Sequence, residues 1–307
     1  MTNTTFHLEG VFSAALTPLQ DDLSPDLDKL VQHSKWLLTN GCDGLAPLGT
    51  TGEANSFSVA ERLTMMEALA DGGLPMDRLM PGTGCCAIPD SVELCNKALE
   101  TGAAGVLMLP PFYYKKPSDD GLFAAFSEVI ERVGDDRLKV YLYHFPVMST
   151  VPFSYDLIGR LLARYPDTVV GMKDSSGDLG NMTGAAKEFP GFAVFSGSDE
   201  LLLPHLKEGG AGCITAVSNV AASMAAEVYA AFKKGEDPTA VHEMLTTWRK
   251  SIYIYPLSMA LKTIMARHTG DKGWLNIRPP FVQLTDAQCA ELFAALDATD
   301  YHIPSAA

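Results

Sequence analysis

The sequence predicts an α/β protein, a TIM-type (β/α)8 barrel followed by a C-terminal helical extension, and three observations carry that prediction. Short apolar, β-branched runs alternate with helical stretches along the chain, the pattern of a parallel sheet with helical crossovers. The runs are apolar throughout rather than every second residue, so both of their faces are covered, as in a barrel wall. The glycine-rich fingerprint of a doubly wound dinucleotide fold is missing after the first run, where "LTPLQDD" stands instead.

The expected strands, in order, begin with "VFSAAL" at 11–16, "GLAPLG" at 44–49, "RLMPGTG" at 78–84 and "GVLMLP" at 105–110. They continue with "KVYLYHF" at 139–145, "TVVGMK" at 168–173, "FAVFSG" at 192–197 and "GCITAV" at 212–217. Between them, "SVAERLTMMEALADGG" opens on a serine cap, places Glu61 three residues later and stops at Gly72. "SYDLIGRLLARYP" repeats the pattern from Ser154 to the stop at Pro166. After the eighth run the periodicity is helical to the end, more than one crossover needs. Residues 1–220 are therefore expected to form the barrel and residues 221–307 a helical extension packed on it, since no low-complexity linker separates them.

Charge narrows the partners. Lys+Arg 23 against Asp+Glu 37 leaves 23 − 37 = −14, which repels a phosphate backbone or an anionic membrane surface. Neither nucleic acid nor membrane is expected as a partner. The first residues, "MTNTTFHLEG", carry no basic and apolar leader pattern, so a cytoplasmic location is expected. Six scattered cysteines without a CxxC pair fit reduced thiols. Adjacent Cys85 and Cys86 fit either a soft-metal or redox pair, or small residues packing near a strand end. Seven histidines show no HxH or HExxH spacing, so neither a protein-held metal nor another cofactor is expected.

In such barrels the chemistry sits at the C-terminal strand ends. "GTTGE" (49–53) offers successive backbone N–H groups and two hydroxyls, a cradle for a small carboxylate; it equally fits a glycine turn with a threonine cap. Tyr143 fits a proton carrier or a core tyrosine with its hydroxyl satisfied. Lys173 stands where an apolar strand should end. An ammonium is costly to bury there, whereas a neutral lysine amine is a nucleophile that forms Schiff bases with carbonyl substrates. The alternatives are a lysine reaching solvent or paired with Asp174. No GxSxG elbow or phosphate-binding loop of the GxxxxGK[ST] type appears.

Taken together, "GTTGE", "YHFP" followed by a serine, "GMKDSSGD" and "SGSDE", in this order and at these intervals, resemble the dihydrodipicolinate synthase and N-acetylneuraminate lyase family, from Gly10 to about Pro280. The resemblance implies a homotetrameric barrel that joins a lysine to pyruvate or another 2-oxo acid through a Schiff base. Lys173 would be that lysine and Tyr143 the proton relay. Thr50 and Thr51, after Gly49, would hold the carboxylate of the 2-oxo acid. Tyr113, or its neighbour Tyr114, would be lent across a subunit interface. Gly197 and Ile214 would line the pyruvate site.

Departures bear on the substrate. The synthases of the family carry an arginine where Met148 stands, and a thioether cannot bind the carboxylate of a semialdehyde partner. His144 replaces an asparagine and Thr150 a glycine, so a different loop course is expected. "SGSDE" is closer to the lyases, whose pattern implies that Asp199 and Glu200 meet substrate hydroxyls, with Ser175 beside Lys173. Those carboxylates equally fit a helix cap. Lys115 and Lys116 are the cations expected at the mouth for a second carboxylate.

The expectation is a class I aldolase or lyase cleaving or forming a 4-hydroxy-2-oxo acid, with pyruvate and an aldehyde as partners. A dehydratase or deaminase using the same imine is the nearest rival, and dihydrodipicolinate synthesis is opposed by Met148. A non-catalytic sensor of small acids would have no use for the lysine.

Overall fold

A computed structural model describes residues 8–305. The first seven residues, read above for a leader and including His7, and the last two of the expected extension lie outside the described residues. The chain forms a TIM barrel. Its seven assigned strands are β1 (Gly10–Ser13), β2 (Gly44–Leu45), β3 (Val106–Met108), β4 (Val140–His144), β5 (Val169–Asp174), β6 (Ala193–Ser196) and β7 (Gly212–Thr215). All are parallel, in the order β2-β1-β7-β6-β5-β4-β3.

The eighth wall position belongs to 78–84, and here the structure departs from a regular strand. That segment makes only isolated parallel bridges, Leu45 with Leu79 and Gly82 with Leu107. Pro81 is the reason, because it has no N–H to give to a ladder. The segment still closes the ring. Met80 N donates to Leu45 O (2.8 Å) and Gly82 N to Pro47 O (2.8 Å) on one side, while Leu107 N donates to Pro81 O (3.0 Å) on the other.

Two apolar layers result. Phe12, Met80, Leu107, Tyr141, Phe195 and Ile214 fill the barrel interior. Outward residues such as Val106, Leu142, Met172 and Val194 pack under the surrounding helices. The helix Val59–Asp71 begins with a complete Ser58–Glu61 capping box and ends at Gly72, and Tyr155–Arg164 is capped by Ser154, whose Oγ accepts from Leu157 N (3.0 Å).

The helix Ser218–Lys234 lies against β1 and against the helix Thr239–Ile252. Its backbone leaves helical geometry at Ala221 (φ −135°, ψ 28°), next to the expected boundary between barrel and extension. The helices Leu257–Thr269 and Asp286–Asp297 follow. Val11 and Cys213 of the barrel share one apolar cluster with Leu245, Trp248, Leu261 and Leu296, so these helices have no separate core. Among the described residues no helix is long and apolar enough to cross a membrane.

Candidate active site

A β-strand sends successive side chains to opposite faces, so Val169, Gly171 and Lys173 would ordinarily share a face. They do not. Val169 belongs to the outer layer and Val170 to the interior, yet Met172 is again outer. The register explains the change: Val140 pairs with Val169, but the next residue, Tyr141, pairs with Gly171, so β5 carries one extra residue. This bulge resets the alternation and turns Lys173 inward. Gly171 is required beside it, since a Cβ there would lie 2.5 Å from both the Tyr141 ring and Ala193 O.

Asp174 consequently points away from Lys173. Its carboxylate is buried and accepts from Ser176 N (2.8 Å) and Asn181 Nδ2 (2.6 Å), which removes the Lys173–Asp174 pair considered from the sequence. Lys173 also does not reach solvent, being 5% exposed. Its Nζ lies 3.3 Å from the Tyr143 hydroxyl and 4.4 Å from that ring's centroid, and the two residues are register partners on β4 and β5. Tyr143 is buried and stacks on Phe145. Its hydroxyl lies 3.4 Å from Thr50 Oγ1, so three strand ends supply one row: ammonium or amine, phenol, alcohol.

The turn carrying Thr50 is held tightly. Leu48 (φ 59°) and Glu53 (φ 59°) both occupy the left-handed region that side chains rarely adopt. Ala54 N returns to Gly49 O (3.1 Å), and Thr17 Oγ1 donates to Gly52 O (2.8 Å). Thr51 is buried and its carbonyl accepts from Ser258 Oγ (2.9 Å). Among the described residues the N–H groups of Thr50 and Thr51 have no protein partner. Such amides suit an incoming carboxylate.

Gly197 directly follows β6, and Ile214 lies on β7. Ile214 is an interior residue of β7, and Gly197 N donates to Asp174 O (2.7 Å). A Cβ at Gly197 would meet Ser175 Oγ at 2.1 Å, so the half-buried Ser175 hydroxyl occupies the space that glycine leaves.

Other sequence-derived residues stand apart. Asp199 is fully buried, accepting from Thr215 Oγ1 (2.6 Å) and pairing with Arg249 Nη1 (3.3 Å). Burial pushes its carboxyl above the usual carboxylate range, and the Arg249 guanidinium opposes that rise. Glu200 pairs with Lys250 at the surface (3.3 Å). Tyr113 and Tyr114 are exposed and stack edge-to-face with each other, so a single chain brings neither to Tyr143. Lys115 folds its head onto the carbonyls of Phe112 and Ser149. Met148 is exposed on the short helix Pro146–Ser149. Thr150, after it, takes φ 56° and ψ 15°, so threonine adopts the conformation a glycine would have held. His144 faces outward and accepts from Phe153 N (3.1 Å) through Nδ1. Its burial lowers its pKa, opposed by Asp174.

Three charged residues went unnoticed in the sequence. Arg62 is buried, donates to Gly82 O (2.7 Å) and Cys85 Sγ (3.0 Å), and lines a narrow void of about 10 Å³ with Thr50 and Tyr143. Its place could have been read, because 62, 65, 66 and 69 form one buried helix face with Met65, Met66 and Leu69. Arg249 and Lys262 lie in the extension and reach barrel carboxylates that no local spacing connects to them. Larger cavities of about 590 and 420 Å³ sit among Trp36, His268, Trp274 and Tyr301, without any member of the lysine row. Chemistry rather than size therefore selects the site. Among the described residues no group of three or more His, Cys, Asp or Glu side chains is placed to hold a metal.

Comparison with known proteins agrees with this geometry. The family model described as the dihydrodipicolinate synthetase family matches residues 7–299. A protein named an uncharacterized DapA-like lyase, from Chloroflexus aurantiacus, is 34% identical over 289 residues, covering 94% of this chain and 96% of its own. The 4-hydroxy-tetrahydrodipicolinate synthase of Bacillus subtilis is 31% identical over 293 residues, covering 94% and 98%. The crystal structure of dihydrodipicolinate synthase from Agrobacterium tumefaciens superposes with a TM-score of 0.87 at 31% identity, covering 95% of this chain and 99% of that one.

Proposed function

Because this chain belongs to the dihydrodipicolinate synthetase family, an enzyme family of lyases and synthases, we propose that it is a class I aldolase that cleaves or forms a 4-hydroxy-2-oxo acid. The observation that carries the reading is the row Lys173 Nζ, Tyr143 OH and Thr50 Oγ1, spaced 3.3 and 3.4 Å apart, with the lysine and tyrosine buried and the threonine half-buried.

The chemistry follows from that row. The amine of Lys173 adds to the C2 ketone, and Tyr143 passes its phenolic proton to the departing hydroxide, so that water leaves, the imine keeps its proton and withdraws electrons, and a phenolate remains. Tyr143 takes the proton of the 4-hydroxyl, the C3–C4 pair moves into the imine, and an aldehyde departs from the enamine. Protonation of C3 and hydrolysis return pyruvate and the amine. The amides and hydroxyls of Thr50 and Thr51, following Gly49, hold the carboxylate so that C2 faces Lys173. Gly197, Ile214 and Ser175 line the side where the pyruvate methyl and the leaving aldehyde lie. Asp199 has no part in these steps, its carboxyl oxygens being taken up by Thr215 and Arg249.

The exposed Tyr113 and Tyr114 support a homotetramer in which Tyr113 completes the hydroxyl row of a neighbouring subunit. A second reading, 4-hydroxy-tetrahydrodipicolinate synthesis, is favoured by the names of several relatives and opposed by Met148.

Borohydride trapping with pyruvate, followed by peptide mass spectrometry, tests the imine: the adduct is expected on Lys173. A panel of 4-hydroxy-2-oxo acids then separates the chemistries. Pyruvate release marks an aldolase, whereas a dehydratase or deaminase yields none.

A further inference from the structure

We propose that the helix Leu257–Thr269 is a positioning clamp on the Thr50–Thr51 turn, acting through Ser258 and through the ion pair of Lys262 with Glu53. The clamp sets how firmly the carboxylate of a 2-oxo acid is held. It rests on reading Thr50 and Thr51 as that carboxylate's cradle.

Two residues of one helix, one turn apart, reach two residues of one tight turn. Ser258 Oγ donates to Thr51 O (2.9 Å), and Lys262 Nζ lies 2.6 Å from Glu53 Oε1. Lys262 also donates to Asn276 O (2.9 Å), and Arg278 N approaches Glu53 Oε2 (3.4 Å), so the acid is gripped from two points of the extension. Both charged side chains are buried, at 2% and 0% exposure. A buried ion pair adds little net stability compared with apolar residues of the same volume, but it fixes geometry. Here it fixes Glu53, whose left-handed backbone (φ 59°, ψ 27°) would otherwise be free to relax and take Thr51 with it. From the barrel side, Thr17 Oγ1 holds the next carbonyl, Gly52 O, at 2.8 Å. Consecutive carbonyls of the turn are thus pinned from opposite sides, one by the barrel and one by the extension. Their fixed orientation aims the unpartnered amides of Thr50 and Thr51 at one spot.

The test is a pyruvate titration of borohydride labelling in the full-length protein. Four chains are compared: wild type, Ser258→Ala, Ser258→Thr, and the charge-free double variant Glu53→Gln with Lys262→Met. Loss of the Ser258 hydrogen bond is expected to raise the half-saturating pyruvate concentration by up to about tenfold. The labelling rate at saturation should change by less than about twofold, because no reacting group is removed. Ser258→Thr, which keeps the hydroxyl, restores the wild-type value. The double variant shows the same rise with the same saturated rate. If the double variant does not fold, the Ser258 pair alone decides. An unchanged half-saturation in Ser258→Ala, an equal rise in Ser258→Thr, or a loss confined to the saturated rate overturns the clamp. A wild-type chain that labels with neither pyruvate nor any other 2-oxo acid instead sinks the imine reading, and the clamp with it.

Discussion

Two lysines of this chain are almost equally buried and have opposite company. Lys262, at 2% exposure, faces a carboxylate at 2.6 Å and a backbone carbonyl. Lys173, at 5% exposure, faces a phenol and the face of its ring, with no carboxylate paired to it among the described residues. The first arrangement holds a charge in place for the sake of shape. Burial lowers the pKa of Lys262 and the Glu53 carboxylate works against that shift. The second leaves the nitrogen with no ion-pair partner, beside a hydroxyl and an aromatic face. Burial alone therefore does not separate the two lysines; what stands opposite each one does, and it is on that difference that the proposed role of Lys173 rests.

The comparison can be broken most severely at Lys173. Lys173→Ala should lose both the pyruvate adduct and turnover while circular dichroism and the unfolding transition stay near wild type. Near-normal turnover in that variant would remove the imine mechanism. Tyr143→Phe should retain the adduct but turn over about 10²- to 10⁴-fold more slowly, read as kcat for cleavage. On the structural side, Glu53→Ala leaves Lys262 buried without its partner and should cost about 3–5 kcal/mol in denaturant unfolding. Glu53→Leu combined with Lys262→Met should recover most of that loss.

A third buried base sharpens the contrast. His33 is buried, with Nε2 3.0 Å from Asn219 Oδ1, and burial lowers its pKa from 6.5 to about 4. The unfolded chain therefore takes up this proton first, as pH falls below 6.5. Stability should drop by about 3 kcal/mol between pH 6.5 and about 4 from this group, and level off below. His33→Phe should flatten that part of the stability curve in denaturant titrations across pH. The smallest effect is expected from Met148→Arg, which adds an exposed cation at the mouth: little change in stability, and a gain toward aldehydes bearing a carboxylate. An unchanged aldehyde profile would exclude position 148 from selectivity.

Most of the barrel was legible because its strands are continuous apolar runs and its helices carry local caps. The Ser58–Glu61 box and the Ser154 cap stand where residue order alone places them. The segment 78–84 was overread as a regular strand, since its apolar pattern hides what Pro81 withholds from the ladder. The motif positions Lys173, Tyr143 and Thr50 do meet, whereas the partner of Asp199 was invisible. Arg249 is 50 residues away along the chain, and only tertiary packing brings them together. Lys262 and Ser258 belong to a helix buried along most of its length, whose sequence carries no period pointing to "GTTGE". The alternative pairing of Lys173 with Asp174 is ruled out for a local reason, the extra residue in β5.

That inserted residue has an evolutionary edge. Deleting any one position between Val169 and Met172 would swing the amine out beneath the helices and carry an acid into the cavity. Composition would hardly change, yet on the proposed reading the cavity would offer a carboxyl group where an oxo acid should meet an amine. Which of two opposite side chains the rim presents is thus decided by the parity of a single short stretch.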